Sequence, residues 1–244
     1  MLNNHFKENE HSGSRTLVWI ILFITCLFPS MPNASNAHFS KDDIPAIVSK
    51  IETVYGNHAK NRAVQWLKLV ETYKNSDTEI QINEVNNFFN QLEFIDDLNL
   101  WGVDDYWTSV AEFIGAGGGD CEDFTLAKFY TLVFLGVPAH KLQMIYVNAI
   151  TYQEAHMVLA YQESPSHEPI VLDNIDKQIK SASQRTDLEP IYAFNADELW
   201  STKKIGQGQL IGKATKIKPW VRVMQSTQEL NMAIPIINLD KVQK

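Results

Sequence analysis

Apolar positions recur at helical spacing through the first part of the chain and at strand spacing after it. Ile44, Ile47, Val48, Ile51, Val54 and Tyr55 form a stripe up to Gly56, opened by Asp42, Asp43 and Pro45, a helix-start signature. A second helix is expected over residues 58–74, with Ala63, Leu67, Val70 and Tyr73 on one face, and a third from Val85, Phe88, Phe89, Leu92 and Ile95. Stripes of this kind face a core. Over residues 96–119 neither period holds: acids alternate with Trp101, Tyr106 and Trp107, and three glycines close the segment. Long irregular stretches of this kind are surface connections or parts of sites.

After the glycines comes a nearly all-apolar run, expected as a buried helix over residues 121–135 and stopped by Gly136 and Pro138. The period then changes to two. Residues 142–149, 156–162 and 169–174 are rich in β-formers and separated by turn residues, and further strands are expected at 191–194, 208–211 and 221–224. Helices first and strands after predict an α+β fold with a helical lobe (38–138), a β lobe (139–225) and a tail (226–244) in a single domain.

Composition changes this picture little: 45% apolar and 20% charged residues are ordinary for a globular chain. The net charge of -8, with no dense basic block, argues against nucleic-acid binding. The first 37 residues read as an export leader. Lys7 and Arg15 precede an apolar run at 17–28, and Ser35, Asn36 and Ala37 offer small residues before a cleavage site. That run is short for a membrane span, which needs about 20 residues, although an uncleaved anchor stays open. Cys26 lacks a lipoprotein-box context, so removal of the leader leaves Cys121 as the single cysteine of an exported protein. An odd thiol in an oxidising compartment is a flag for reactivity, and a small buried hydrophobe is the plainer alternative.

Cys121 begins the central helix, where unpaired amides and the helix dipole favour a thiolate. A thiol nucleophile needs a base and a group to orient it. Among the histidines of the mature chain His58, His140 and His167 lie at ends or turns, whereas His156 opens an apolar strand. A hairpin loop centred between Ser164 and Pro165 sets His156 opposite Asp173, within hydrogen-bond reach across an antiparallel pair. The Cys121 backbone N–H is one candidate oxyanion donor, and Trp101 and Trp107 offer indole N–H groups for a second. Asp120, Glu122 and Asp123 crowd the thiol and oppose its ionisation. They are either helix-start acids worth about 0.3 to 1 kcal/mol each or, with Asp104 and Asp105, ligands for Ca2+, which takes six to eight oxygens.

GGGDCEDF, the His of EAHMVLAY and the Asp of PIVLDN together resemble the bacterial transglutaminase-like cysteine proteinases of the LapG type, over most of the mature chain. The resemblance implies a papain-like α+β fold, a Cys121, His156 and Asp173 triad, and calcium dependence through Asp120 and Glu122. It also implies a periplasmic endopeptidase that cuts the N-terminal region of a large surface adhesin to disperse biofilm, regulated by an inner-membrane cyclic-di-GMP receptor of LapD type. A transglutaminase-like acyltransferase and a non-catalytic calcium-binding adaptor are the rival readings.

Overall fold

The computed structural model describes residues 44–242. The expected leader and the acidic helix start at 42–43 lie outside them. The first three helices are α1 (Ile44–Tyr55), α2 (Asn57–Tyr73) and α3 (Thr78–Phe89). Gly56, at φ 93°, turns the chain between α1 and α2 in a conformation that side chains other than glycine rarely adopt. Ala59, Ala63, Trp66, Leu69 and Val70 form the buried stripe of α2.

The segment expected to be irregular contains structure. It holds β1 (Glu93–Phe94), α4 (Asp97–Trp101), α5 (Val110–Ala116) and β2 (Gly118–Gly119), and β1 and β2 pair in parallel. Helix α5 starts in a capping box: Ser109 Oγ accepts from the Glu112 amide while Glu112 accepts from the Ser109 amide at 2.8 Å. Its seven residues are all buried, so no amphipathic period marks it in the sequence.

Helix α6 (Cys121–Phe134) runs through the middle of the larger core. Phe124 packs edge-on against Phe113 with centroids 4.8 Å apart, and Trp66 Nε1 donates to Thr131 Oγ1 at 3.0 Å. Then follow β3 (Leu142–Ala149), β4 (Glu154–Tyr161), β5 (Ile170–Leu172), β6 (Lys180–Ser181), β7 (Leu188–Phe194), β8 (Glu198–Lys204) and β9 (Gln207–Lys213). They form one antiparallel sheet in the order β6-β5-β4-β3-β7-β8-β9. Met144, Met157, Leu159 and Leu172 join the helical core, and Ile145, Val147, Val158 and Val171 form a second cluster on the other face. This is the α+β arrangement that the change of period predicts.

Two corrections concern the C-terminal part. The strand expected at 221–224 is instead inside α7 (Lys218–Glu229), whose Pro219 sits in the first turn and whose Trp220, Val223, Met224 and Thr227 are buried at helical spacing. Strand β8 was not anticipated. The unassigned tail carries α8 (Leu239–Val242), and Asp240 binds Arg62 of α2 at 2.5 Å.

Candidate active site

The glycine tract brings the chain into the site. Gly117, at φ 87°, ends α5, and a Cβ on Gly118 would stand 2.3 Å from the Glu93 carbonyl oxygen. One on Gly119 would stand 2.1 Å from Asp123 Oδ2. Only glycine permits both approaches. Asp120 is then the N-cap of α6, and its amide donates to Asp123 Oδ2 at 3.3 Å.

Cys121 is the first residue of α6. Its thiol donates to Glu122 Oε2 at 2.9 Å rather than to His156. Burial pushes the thiol's pKa well up, Glu122 and Asp120 push it further, and the amide of Met157 acts the other way. The helix start alone therefore does not ionise this sulfur. The Met157 amide belongs to β4, one residue on from His156, and Thr125 of α6 also donates to the Met157 carbonyl at 3.0 Å. The nucleophile's helix is thus bonded directly to the strand that bears the imidazole.

His156 Nε2 lies 2.8 Å from Asp173 Oδ1, and both side chains are almost wholly buried. The register differs from the expected one. Leu159 stands opposite Leu172 and Tyr161 opposite Ile170, so continuing the pairing puts Val158, not His156, across from Asp173. The slip is two residues, which keeps every side chain on its face and leaves the two groups as diagonal neighbours. Burial alone would raise the Asp173 pKa. Hydrogen bonds from His156, from the Ile175 amide at 3.0 Å and from Arg185 at 2.7 Å overturn it and hold the carboxylate below its usual range. Arg185 also binds Asp187 through two nitrogens, at 3.0 and 2.8 Å. With Nε2 engaged by Asp173, Nδ1 is the ring nitrogen left for proton transfer.

The acids around the thiol have the opposite environment. One ligand oxygen each from Asp97, Asp120 and Asp123 lie within 4.8 Å of one another, and Asp120, Cys121 and Glu122 form an overlapping group. Burial raises the Asp97 pKa to about 7, with Glu122 and Asp105 adding to it. Burial and the neighbouring carboxylates raise Asp120 and Asp123 as well. Asp123 is satisfied: Oδ1 accepts from the Thr108 amide and hydroxyl, each at 2.7 Å. Asp97 Oδ1 and Asp120 Oδ1 are buried without a partner.

The model of the bacterial transglutaminase-like cysteine proteinases matches residues 55–201, a span that contains Cys121, His156 and Asp173. The chain belongs to that family. The proteinase is also similar to solved structures of Legionella pneumophila LapG. An EGTA-treated form matches with a TM-score of 0.67 and 36% identity, covering 75% of this chain and 97% of that one. A calcium-bound form matches with a TM-score of 0.65 and 37% identity, again over 75% of this chain and 97% of that one. Among curated proteins no match is found.

The donor set of the proteinase suits a hard cation. Calcium binds oxygens at about 2.3–2.6 Å, so two oxygens sharing one ion lie no more than about 5 Å apart, as these do. The two orphaned oxygens point to the same conclusion, because buried carboxylate oxygens are costly without a donor or a metal. Asp104 and Asp105 are exposed and belong to neither group; Asp105 Oδ1 instead accepts from Trp107 Nε1 at 2.7 Å. That bond occupies the Trp107 indole, while Trp101 Nε1 is buried without a partner. Asp97, Thr108 and Arg185 were missed by sequence reasoning. Asp97 carried a weak signal, since Asp96 already caps α4 through the Asn99 amide at 3.0 Å and a second acid there is redundant for the helix. His58, His140 and His167 are exposed, as their positions in the chain predict.

Proposed function

We propose that the protein is a calcium-dependent cysteine endopeptidase of the periplasm, acting through Cys121, His156 and Asp173. The observation that carries the reading is the buried pairing of Asp173 with His156, a residue of the strand that Thr125 of the Cys121 helix bonds at Met157. Membership of the cysteine proteinase family supports the reaction class. The calcium-bound and EGTA-treated LapG structures, together with the two orphaned oxygens, support the metal.

In this mechanism the Cys121 side chain turns from Glu122 and gives its proton to His156 Nδ1. Asp173 fixes the ring through Nε2 and stabilises the imidazolium. The sulfur attacks the scissile carbonyl carbon, and the Cys121 amide stabilises the oxyanion. Collapse breaks the C–N bond as His156 returns the proton to the leaving amine. Water, deprotonated by His156, then cleaves the thioester and regenerates the thiol. Asp97, Asp120 and Asp123 would hold the Ca2+, with Glu122 at the edge of the same group. The ion supplies positive charge that offsets the acids beside the thiol.

The substrate in this reading is the N-terminal region of a large repeat adhesin at the cell surface, whose release disperses biofilm. An inner-membrane cyclic-di-GMP receptor of LapD type would sequester the enzyme. The leader would deliver it to the periplasm; among the described residues no helix is long and apolar enough to cross a membrane. Incubation of an adhesin N-terminal fragment with the protein in calcium, read by mass spectrometry, tests the reaction. The expected product is a new free N-terminus with the wild type and none with Cys121→Ala. Incorporation of an added amine without chain cleavage would make the protein an acyltransferase, and cleavage by Cys121→Ala would remove the thiol from the mechanism.

A further inference from the structure

Lys128 carries a buried amine that the mechanism does not use. It lies seven residues after Cys121 in α6, two turns further along the same face and about 10 Å away at 1.5 Å per residue. It is 1% exposed, among the most buried side chains of the protein, and its surroundings are those of an apolar helix, with the Phe124 ring 5.9 Å away. Its Nζ donates to the main-chain carbonyl of Asp173 at 3.0 Å.

That carbonyl is held twice. Asn90, the C-cap of α3, donates to the same oxygen through Nδ2 at 2.8 Å. The rest of the turn is fixed from the same helix end: Lys177 Nζ donates to the Asn90 carbonyl at 2.9 Å, and Asn86 Nδ2 donates to the Lys177 carbonyl at 2.9 Å. The Asp173 carboxylate is meanwhile held by His156, Ile175 and Arg185. The main chain of Asp173 is therefore tied to the helices, and its side chain to His156 of the sheet and to Arg185 beyond it.

A buried ammonium bonded to one neutral carbonyl is a poor stabiliser. Its desolvation is costly, and an unbranched apolar side chain of similar length would fill the space without that cost. Burial accordingly depresses its pKa to about 7, against the attraction of Asp173. What the amine does supply is a direct link between the helix that begins at Cys121 and the turn that carries Asp173.

We propose that Lys128 is a positioning residue of the proteinase, setting the Asp173 turn, and through it the His156 ring, at a fixed distance from the helix of the Cys121 nucleophile. The proposal rests on the Cys121, His156 and Asp173 reading. Small displacements in such a constellation are expensive, about a hundredfold in rate for 1 Å.

Kinetics on the adhesin fragment in calcium, beside calorimetric melting, test it with Lys128→Met, Asn90→Ala and Asp173→Ala. For Lys128→Met we expect kcat to fall about tenfold to a hundredfold, with KM unchanged and a Tm equal to or above that of the wild type. Asn90→Ala, which removes the other donor, lowers kcat in the same direction with Lys128 in place. Wild-type kcat in Lys128→Met, or a lowered Tm with kcat per folded molecule unchanged, would make the lysine merely structural. In either case an inactive Asp173→Ala leaves the triad standing. Full activity of Asp173→Ala would instead overturn the triad and this proposal together.

Discussion

Asp173 is a buried aspartate and Asp120 a half-buried one with a buried Oδ1, and their pKa values move in opposite directions. Desolvation acts on both and favours the neutral acid. Asp173 receives bonds from an imidazole, an amide and a guanidinium, so its charge is compensated by the protein itself. Asp120 faces Asp97, Glu122 and Asp123 and keeps an oxygen with no donor at all. Burial therefore does not decide whether a carboxylate is charged; its partners do. One half of the site is complete as the chain folds, and the other needs a cation to balance its acids.

Removing a partner from the complete half should have the largest effect. Asp173→Ala leaves Arg185 buried beside only Asp187 and leaves His156 without its orienting group. We expect kcat to fall by about 10³ to 10⁴ and stability by about 3–5 kcal/mol, read by kinetics and chemical denaturation. An intact kcat would detach Asp173 from catalysis. Because its folded pKa is lowered, the stability it contributes is present above its unfolded value of about 3.9 and is lost as pH falls below that. The acid limb of the wild-type stability curve should be shallower in Asp173→Ala.

The incomplete half predicts the reverse sign. Asp97 has a folded pKa raised to about 7, so in EGTA its contribution is present below pH 4 or so and is lost as pH rises through 7. The calcium-free wild type should melt lower at pH 8 than at pH 5.5. Asp97→Asn should flatten that slope, raise the EGTA melting temperature by about 2–4 °C per kcal/mol of repulsion removed, and weaken calcium binding measured by isothermal titration. An Asp97→Asn protein with wild-type calcium affinity would take Asp97 out of the ligand set.

The smallest effect is expected from Lys128, which belongs to the complete half but is itself uncompensated. Its folded pKa, about 7, lies below the unfolded value of about 10.4, so between these values the unfolded chain binds the extra proton. Stability from this group therefore rises with pH between about pH 8 and 10. Subtracting the Lys128→Met curve from that of the wild type isolates this slope. Equal curves would mean that the amine keeps its charge.

Most of the fold was legible because the first helices carry a buried stripe and the central strands are short apolar runs between turn residues. Helices α1 and α2 follow their period, α3 (Thr78–Phe89) leaves Leu92 and Ile95 of its expected stripe outside it, and β3 to β5, buried on both faces, were marked by their β-formers and turn residues. Helix α5 is buried all round and so has no period, but its Ser109 and Glu112 capping box was readable at the sequence level. The segment VRVM suggested a strand by local β-propensity, whereas Trp220, Val223, Met224 and Thr227 carry the helical spacing once Pro219 is taken as a first-turn residue. At the site, alternation along a hairpin was enough to join His156 to Asp173 even with the register displaced by two, because the face survives such a slip. Asp97 and Arg185 could not be found this way. Neither lies on an element that pairs with the one it serves, and only the packed chain brings them near.

Calcium dependence separates the two halves most directly. Proteolysis of the adhesin fragment and the melting temperature should be measured together in excess calcium and in EGTA, for the wild type and for Asp120→Ala. The wild type should lose cleavage and melt at a lower temperature in EGTA, and Asp120→Ala should resemble the chelated protein in both buffers. Full cleavage by the wild type in EGTA, with an unchanged melting temperature, would contradict the account.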